Sequence, residues 1–110
     1  MKSSEIDKSS VINLATSIEY AEAAVVSKTI LKKQSGNLTL FAFAKNEGLS
    51  EHTAPFDAAI QVLDGKGEIT IGGTPYILDT GQFIIMPANI THAVKAVEDF
   101  KMLLIMIKSD

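Results

Sequence analysis

The chain contains only two histidines, His52 and His92, and their side chains have the widest chemical range among its 110 residues. Imidazole ligates divalent metals, and its pKa near neutrality also suits it to general acid–base catalysis. The absence of cysteine excludes disulfides, thiolate metal sites and a cysteine nucleophile. The first question is therefore which other residues the fold brings to the two imidazoles.

The segment after His52 has a spacing typical of side chains on one face of a strand. Residues separated by an even number share a strand face, and Ala54 and Ala58 lie two and six positions after His52. The pattern predicts that these side chains face inward on one strand, with the second histidine opposite. The predicted ligand pocket consists of His52, Ala54, Ala58, Ile60, His92 and Val94.

Short strands with frequent turn signals must position these residues. Glycine- or proline-containing turns separate strand-like segments such as AAIQVL, EITI, PYILD and QFIIM, which predicts an all-β sandwich or barrel. Residues 1–10 are predicted to be frayed, and SIEYAEAA favours a helical turn before the strand-like VVSKTILKK. The last segment, FKMLLIMIK, is apolar on both faces, which predicts burial on both or cover by a partner subunit.

Two blocks of the sequence resemble the motifs of the cupin family. The first block, HTAPFDAAIQVLDG, keeps His52 and Gly65 at the family's spacing. Ala54 and Ala58 stand where the family has a second histidine and a glutamate. The first block therefore keeps the turn residue of the motif and one of its three metal ligands.

The second block, GQFIIMPANITHAVKA, keeps Gly81, Pro87 and His92 at the family's spacing. Asn89 stands in place of a glycine, and asparagine is the residue best able to adopt glycine's left-handed backbone conformation. Ala96 occupies the position of the family's asparagine. Across both blocks, two of the family's four metal-ligand positions are kept.

The resemblance implies a cupin-type jelly-roll β-barrel whose motifs span residues 37–107, within a single domain of residues 1–110. It also implies a homodimer. The family commonly holds a divalent metal inside the barrel, so the resemblance implies that zinc, nickel, iron, manganese or copper binds at His52 and His92.

Three interpretations of the histidines stay open. In the first, they hold a metal whose other ligands are water, substrate, Glu51, Asp57 or Gln61. In the second, a histidine paired with an acid such as Asp57 is a metal-free general base, as in some cupin-like sugar isomerases, although the chain has no arginine to hold phosphates. In the third, they are polar anchors in a mostly apolar pocket for a small, largely apolar molecule.

The resulting prediction for function is small-molecule binding in the barrel, with a weakly held divalent metal at the two histidines and no assignable reaction. The alternatives are a metal-dependent enzyme of the dioxygenase or isomerase type and a ligand-sensing regulatory partner. The net charge of −3 and pI near 5.3 disfavour nucleic-acid and anionic-membrane binding. No apolar run is long enough to cross a membrane and no signal peptide is apparent, so we expect a cytoplasmic protein.

Overall fold

A computed structural model describes residues 6–108. Within this range the chain forms one 3-10 helix at Leu14–Thr16 and nine strands. The strands are β1 Val25–Lys33, β2 Gly36–Phe43, β3 Gly48–His52, β4 Asp57–Asp64, β5 Lys66–Ile71, β6 Thr74–Asp79, β7 Phe83–Met86, β8 His92–Ala96 and β9 Phe100–Ile107. The prediction of an all-β fold is confirmed. No helix in this part of the chain has the length and apolar character needed to span a membrane.

The strands form two antiparallel sheets that face each other across the core. The five-stranded sheet has the order β1-β2-β9-β4-β7, and the four-stranded sheet has the order β3-β8-β5-β6. Strands that are consecutive in sequence repeatedly cross from one sheet to the other, as β3 to β4 and β4 to β5 do. This exchange closes the two sheets into a jelly-roll barrel.

The barrel interior is apolar because alternate residues of each strand point inward. Phe43, Ile60 and Met102 from the five-stranded sheet meet Ile69 and Val94 from the four-stranded sheet in one buried cluster. All five side chains are buried. Packing of the two inner faces against each other is the main apolar burial of the fold.

The residues before β1 cover the outer face of the five-stranded sheet. Ile18 packs in a second apolar cluster with Ile30 and Leu40, and the Lys101 ammonium donates to the Ala15 carbonyl oxygen over 2.6 Å. Strand β9 lies in the middle of this sheet, between β2 and β4. Its apolar character on both faces follows, because one face lines the barrel and part of the other lies under this N-terminal segment.

The predictions for the N-terminal segment are met in part. The strand-like VVSKTILKK is strand β1, as predicted, but the helical turn lies at Leu14–Thr16 and not in SIEYAEAA. Residues 1–5 of the predicted frayed segment lie outside the described residues. Ile6 packs against the second cluster and its backbone N–H donates to the Ile30 carbonyl over 3.0 Å, so Ile6 is held on strand β1.

Two turn residues of the motifs have the left-handed backbone that the sequence predicts. Gly65 has a φ of 77° between β4 and β5, and a Cβ at this position would lie against the Asp99 carbonyl oxygen. Asn89 has a φ of 65° in the turn before β8. Its substitution for glycine is tolerated because the short amide side chain accepts this conformation.

Candidate functional site

The two histidines meet at one end of the barrel. His52 is the last residue of β3 and His92 is the first residue of β8, and the two are directly paired across these adjacent strands. Their Nε2 atoms are 3.0 Å apart, and the ring planes are inclined at 75°. His92 is buried, with 6% of its surface exposed, whereas His52 is exposed. The pair therefore has one side toward the interior and one toward solvent.

A β-bulge in β3 creates this pairing. Leu49 pairs with Val94, but three residues later His52 pairs with His92, which is only two residues before Val94. In a regular ladder Glu51 would stand opposite His92. Because a one-residue shift turns every side chain to the other face, the bulge decides that an imidazole and not a carboxylate meets His92.

The hydrogen bonds of the pair fix the proton positions in its neutral state. His52 Nδ1 lies 2.8 Å from the Ser50 carbonyl oxygen, which only accepts, so His52 Nδ1 carries the proton and donates. His52 Nε2 is then an acceptor, and His92 Nε2 donates to it. The remaining nitrogen, His92 Nδ1, is buried and has no hydrogen-bond partner.

The surroundings of His92 favour its neutral form. Burial lowers the pKa of His92, and the nearby His52 lowers it further by repulsion between the two positive forms. Interaction with the Ile90 backbone acts in the opposite direction and is the smallest of the three effects. A neutral imidazole has a free nitrogen lone pair, which both hydrogen-bond acceptance and metal ligation require.

The predicted pocket residues do not share one strand, so that part of the prediction is wrong. Strand β3 ends at His52, and Ala54 lies in the loop that crosses to the other sheet, where β4 begins at Asp57. Pro55 lies in this loop, and the Ala54 carbonyl oxygen accepts from the Asn89 N–H over 2.8 Å. The even spacing from His52 therefore does not predict on which face Ala58 and Ile60 lie, because the parity rule holds only within one strand.

The remaining pocket residues do line the interior, but from both sheets. Ala58 and Ile60 lie on β4 and Val94 lies on β8, and all three are buried in the barrel cluster. Val94 shares the inner face of β8 with His92, two residues away. The structure thus brings Ala58, Ile60 and Val94 to the same interior, while Ala54 is half-buried in the loop at the barrel end.

The candidate additional ligands are engaged or exposed. Asp57 Oδ1 accepts from the Ala88 N–H over 2.8 Å, and Gln61 Nε2 donates to the Gln82 carbonyl oxygen over 3.3 Å. Glu51 is exposed. Over residues 6–108, no group of three or more histidine, cysteine, aspartate or glutamate side chains is placed to hold a metal ion.

The two imidazoles are close enough to become neighbouring ligands of one metal ion if the proton of His92 moves from Nε2 to Nδ1. Two Nε2 atoms, each at about 2.1 Å from the ion, would be about 3.0 Å apart at a right angle and about 3.4 Å apart at the tetrahedral angle of zinc. The observed separation of 3.0 Å is that of the hydrogen bond between the rings, so a tetrahedral ion would require the rings to move apart. The hydrogen bond from His52 Nδ1 to Ser50 is the kind of outer contact that orients a metal-bound histidine. Further ligands would have to come from outside the set of acidic, thiol and imidazole groups.

A polar row on the opposite sheet was missed from the sequence. Thr39 Oγ1 lies 3.3 Å from Asn37 Oδ1 and 3.2 Å from Thr29 Oγ1. Asn37 and Thr39 have the same strand parity as Phe41 and Phe43, which pack in the barrel cluster, so the row faces the interior. The alternation in NLTLFAF contained this signal, because its first two odd-numbered positions are polar and the next two are aromatic.

Comparisons with known proteins identify one family. The family model described as "Cupin domain" matches residues 39–108. A conserved protein of unknown function from Streptococcus pyogenes is 35% identical, with a TM-score of 0.91, over 96% of this chain and 93% of that chain. No curated protein matches the chain.

Two further solved structures are similar. A cupin 2 conserved barrel domain protein from Leptotrichia buccalis is 45% identical with a TM-score of 0.85, over 88% of this chain and 47% of that chain. A cupin superfamily protein from Desulfitobacterium hafniense is 27% identical with a TM-score of 0.89, over 99% of this chain and 100% of that chain.

Proposed function

Because the chain belongs to the cupin domain family, we propose that it binds a small molecule at the end of its barrel, beside the His52–His92 pair. The observation that carries this proposal is the hydrogen-bonded imidazole pair at the edge of an apolar interior. A few oriented polar groups in an apolar cavity are typical of small-molecule sites.

The chemistry of the pair indicates what it would recognise. A ligand hydroxyl that displaces the present 3.0 Å hydrogen bond would accept from His92 Nε2–H and donate to His52 Nε2, once the two rings have moved apart. The facing row of Asn37 and Thr39 supplies a second polar contact across the interior. We therefore propose a small, largely apolar ligand with a hydroxyl group.

A weakly held divalent metal is the second component of the proposal. His52 and His92 would hold it through Nε2, and a bound ion would act as a Lewis acid on a ligand oxygen. Catalysis of the dioxygenase or isomerase type would then need the substrate or water to complete the metal's ligands, because the described residues offer only two imidazoles. For this reason binding, and not a defined reaction, is the function proposed.

Elemental analysis and native mass spectrometry of the untagged protein, purified without chelator, test this proposal. We expect a co-purifying small molecule, substoichiometric metal, or both, and loss of either in the double variant His52→Ala, His92→Ala. The matched control is Glu51→Ala, which changes the exposed neighbour of His52 on β3 and should leave both signals unchanged. Equal retention in the histidine variant and wild type would refute a site at the imidazole pair.

We also propose that the protein is a homodimer through the outer face of β4, β7 and β9. Phe83, Ile85 and Ile107 are 50%, 60% and 65% exposed, and they line an apolar pocket of about 320 Å³ with Ala59 and Ile105. Asp57 also lines this pocket, but the other lining side chains carry no charge, so the surface is largely complementary to a second copy of itself across a two-fold axis. Apolar surface clustered in this way is typical of an interface.

Sedimentation velocity tests the dimer. The wild type should sediment as a dimer at micromolar concentration, and Ile85→Lys should shift it to the monomer without lowering the folded fraction seen by circular dichroism. Lys95→Ala, on the other sheet, is the control. A monomeric wild type would contradict the dimer. This face would then be a candidate surface for binding another protein, as expected of a regulatory partner.

A further inference from the structure

Another apolar cavity lies on the outer face of the five-stranded sheet, next to the turn that joins β1 to β2. Its volume is about 340 Å³, at the lower end of the range of small-molecule sites, about 300–1,000 Å³. Neither histidine lines it. Its lining combines branched apolar side chains of three strands with two lysines at strand ends: Leu31, Leu38, Ile105, Ile107, Lys33 and Lys108.

A β-bulge in β1 brings Leu31 to this face. Thr29 pairs with Thr39. Leu31, two residues later, pairs with Leu38, which lies only one residue before that partner. In a regular ladder Leu31 would share the inward face of Thr29, but the bulge sets it on the face of Leu38, which packs against the second apolar cluster. Leu38 in turn pairs with Ile105 of β9, so three branched apolar side chains lie in one row.

The next row along the sheet has a gap at Gly36. Lys33 pairs with Gly36, and Gly36 pairs with Ile107. A Cβ at Gly36 would lie 2.0 Å from the Met106 carbonyl oxygen, so this position cannot carry a side chain. The side chains of Lys33 and Ile107 therefore stand on either side of an open space. A lysine packs its apolar stem against such a surface while its ammonium stays in water.

The lining of this cavity is positively charged in a protein of negative net charge. The chain has a net charge of −3, yet within residues 6–108 the lining contains two lysines and no aspartate or glutamate. Both lysines are exposed, and neither forms an ion pair over the same range. The Lys108 ammonium lies 5.9 Å from the centre of the Phe56 ring, near the limit of a cation–π contact. Its backbone N–H donates to the Ser35 carbonyl oxygen over 2.7 Å, so Lys108 lies beside the β1–β2 turn, as Lys33 does.

We propose that this cavity binds a small molecule with an apolar chain and one anionic end, such as an ionised medium-chain carboxylic acid. The chain lies along Leu31, Leu38 and Ile105, and the carboxylate lies at the β1–β2 turn, where it pairs with Lys33 and Lys108. Charge complementarity selects the anionic end, and the apolar lining selects the chain. The site is separate from the histidine pair and does not depend on what binds there.

Titration with octanoate, followed by NMR of the isotope-labelled protein, tests the proposal. The amide signals of Lys33, Leu38 and Ile107 should show saturable shifts, and that of His92 should stay in place. The neutral probe octanol has a chain of the same length and should bind about threefold or more weaker, because it makes no ion pairs. Each buried methylene group contributes about fourfold to affinity, so hexanoate should bind about tenfold more weakly than octanoate.

The double variant Lys33→Gln, Lys108→Gln removes both ammonium groups and should lose the preference for octanoate over octanol. Both positions are exposed, so the fold should be retained. The matched control is Lys45→Gln, Lys95→Gln, which changes the net charge equally at two exposed lysines that do not line the cavity. The control should bind octanoate within about twofold of the wild type, because charges farther than a Debye length are screened.

The cavity adjoins the face proposed for the dimer, since Ile105 and Ile107 line the pockets of both. The proposed site is formed within one chain. Ile85 lies on β7, two strands away from Ile105 on β9. Ile85→Lys should therefore bind octanoate within about twofold of the wild type, whether that variant is a monomer or a dimer. Loss of octanoate binding in this variant would overturn a site formed within one chain.

The other outcomes address the anion and the chain. Octanol binding as tight as that of octanoate, or an unchanged octanoate affinity in the double lysine variant, would overturn the anion site. Equal affinities for hexanoate and octanoate would place the chain outside the cavity and would overturn it as well, as would the absence of saturable shifts in the wild type. None of these results bears on the histidine pair, whose test is the retention of metal and ligand by His52→Ala, His92→Ala.

Discussion

Replacing Ala58 by glutamate should create a divalent metal site. Ala58 is buried on the inner face of β4, at the same barrel end as His52 and His92, where one carboxylate would add a third ligand to the imidazole pair. We take the added ligand to contribute as much as a hydrogen bond to a charged group, about 1.5–3 kcal/mol, and each 1.4 kcal/mol is tenfold in Kd. We therefore expect Ala58→Glu to bind Zn²⁺ about 10- to 100-fold more tightly than the wild type.

The same substitution should destabilise the metal-free protein. An unpaired carboxyl group in the apolar cluster costs about 3 kcal/mol, which lowers the Tm of a domain of this size by about 12 °C or more. Metal at a concentration of 100 times Kd returns about 2.7 kcal/mol and so most of the lost Tm. Differential scanning fluorimetry with chelator and with Zn²⁺ measures both effects, and isothermal titration calorimetry gives the affinity.

Ala59→Glu is the control for this experiment. Ala59 is the next residue of β4 and is also buried, at 9% exposure, but its side chain points to the outer face, away from the imidazoles. It should lose stability without gaining Zn²⁺ affinity. If the two variants bind Zn²⁺ equally, Ala58 does not share the space of the histidine pair, and the site as described is refuted.

The remaining predictions concern stability. With chelator present, the free energy of unfolding should fall as the pH drops from about 6.5 toward the lowered pKa of His92, because the unfolded chain then binds more protons than the folded one. Urea melts at a series of pH values should show a weaker pH dependence for His92→Ala than for the wild type. An equal pH dependence in the two proteins would contradict a lowered pKa of His92. Gly67→Ala should lower the free energy of unfolding by about 1–3 kcal/mol, because the added Cβ would lie 2.5 Å from the buried Phe100 ring. A urea midpoint equal to that of the wild type would show that the Phe100 side chain moves aside at no net cost. Burial and, to a smaller extent, the hydrogen bond to Asp64 raise the pKa of Tyr20, so its hydroxyl stays protonated and donates to the Asp64 carboxylate over 2.5 Å. Tyr20→Phe should lower the free energy of unfolding by about 0.5–1.5 kcal/mol in urea melts. An unchanged urea midpoint would show that this hydrogen bond adds no net stability.

The sequence by itself determined the class of fold and the identity of the reactive side chains. Turn positions such as Gly65 and Asn89 have left-handed backbones for reasons local to those residues, and apolar alternation depends only on the strand period. These features depend only on residues that are close together in the sequence. These signals predict an all-β fold, and the resemblance of the two motifs predicts the cupin barrel. Both could be predicted, and His52 and His92 could be named as candidate site residues, before any long-range contact was known.

Only the tertiary structure decided which side chains meet. The bulge that sets His52 opposite His92, the crossing of the chain between sheets after His52, and the register that places Met86 and Met106 beside Ala58 all depend on pairing between strands distant in sequence. A shift of one residue in any of these ladders would turn a different set of side chains inward. The residue types at the site are thus written in the sequence, whereas their arrangement is set by strand register.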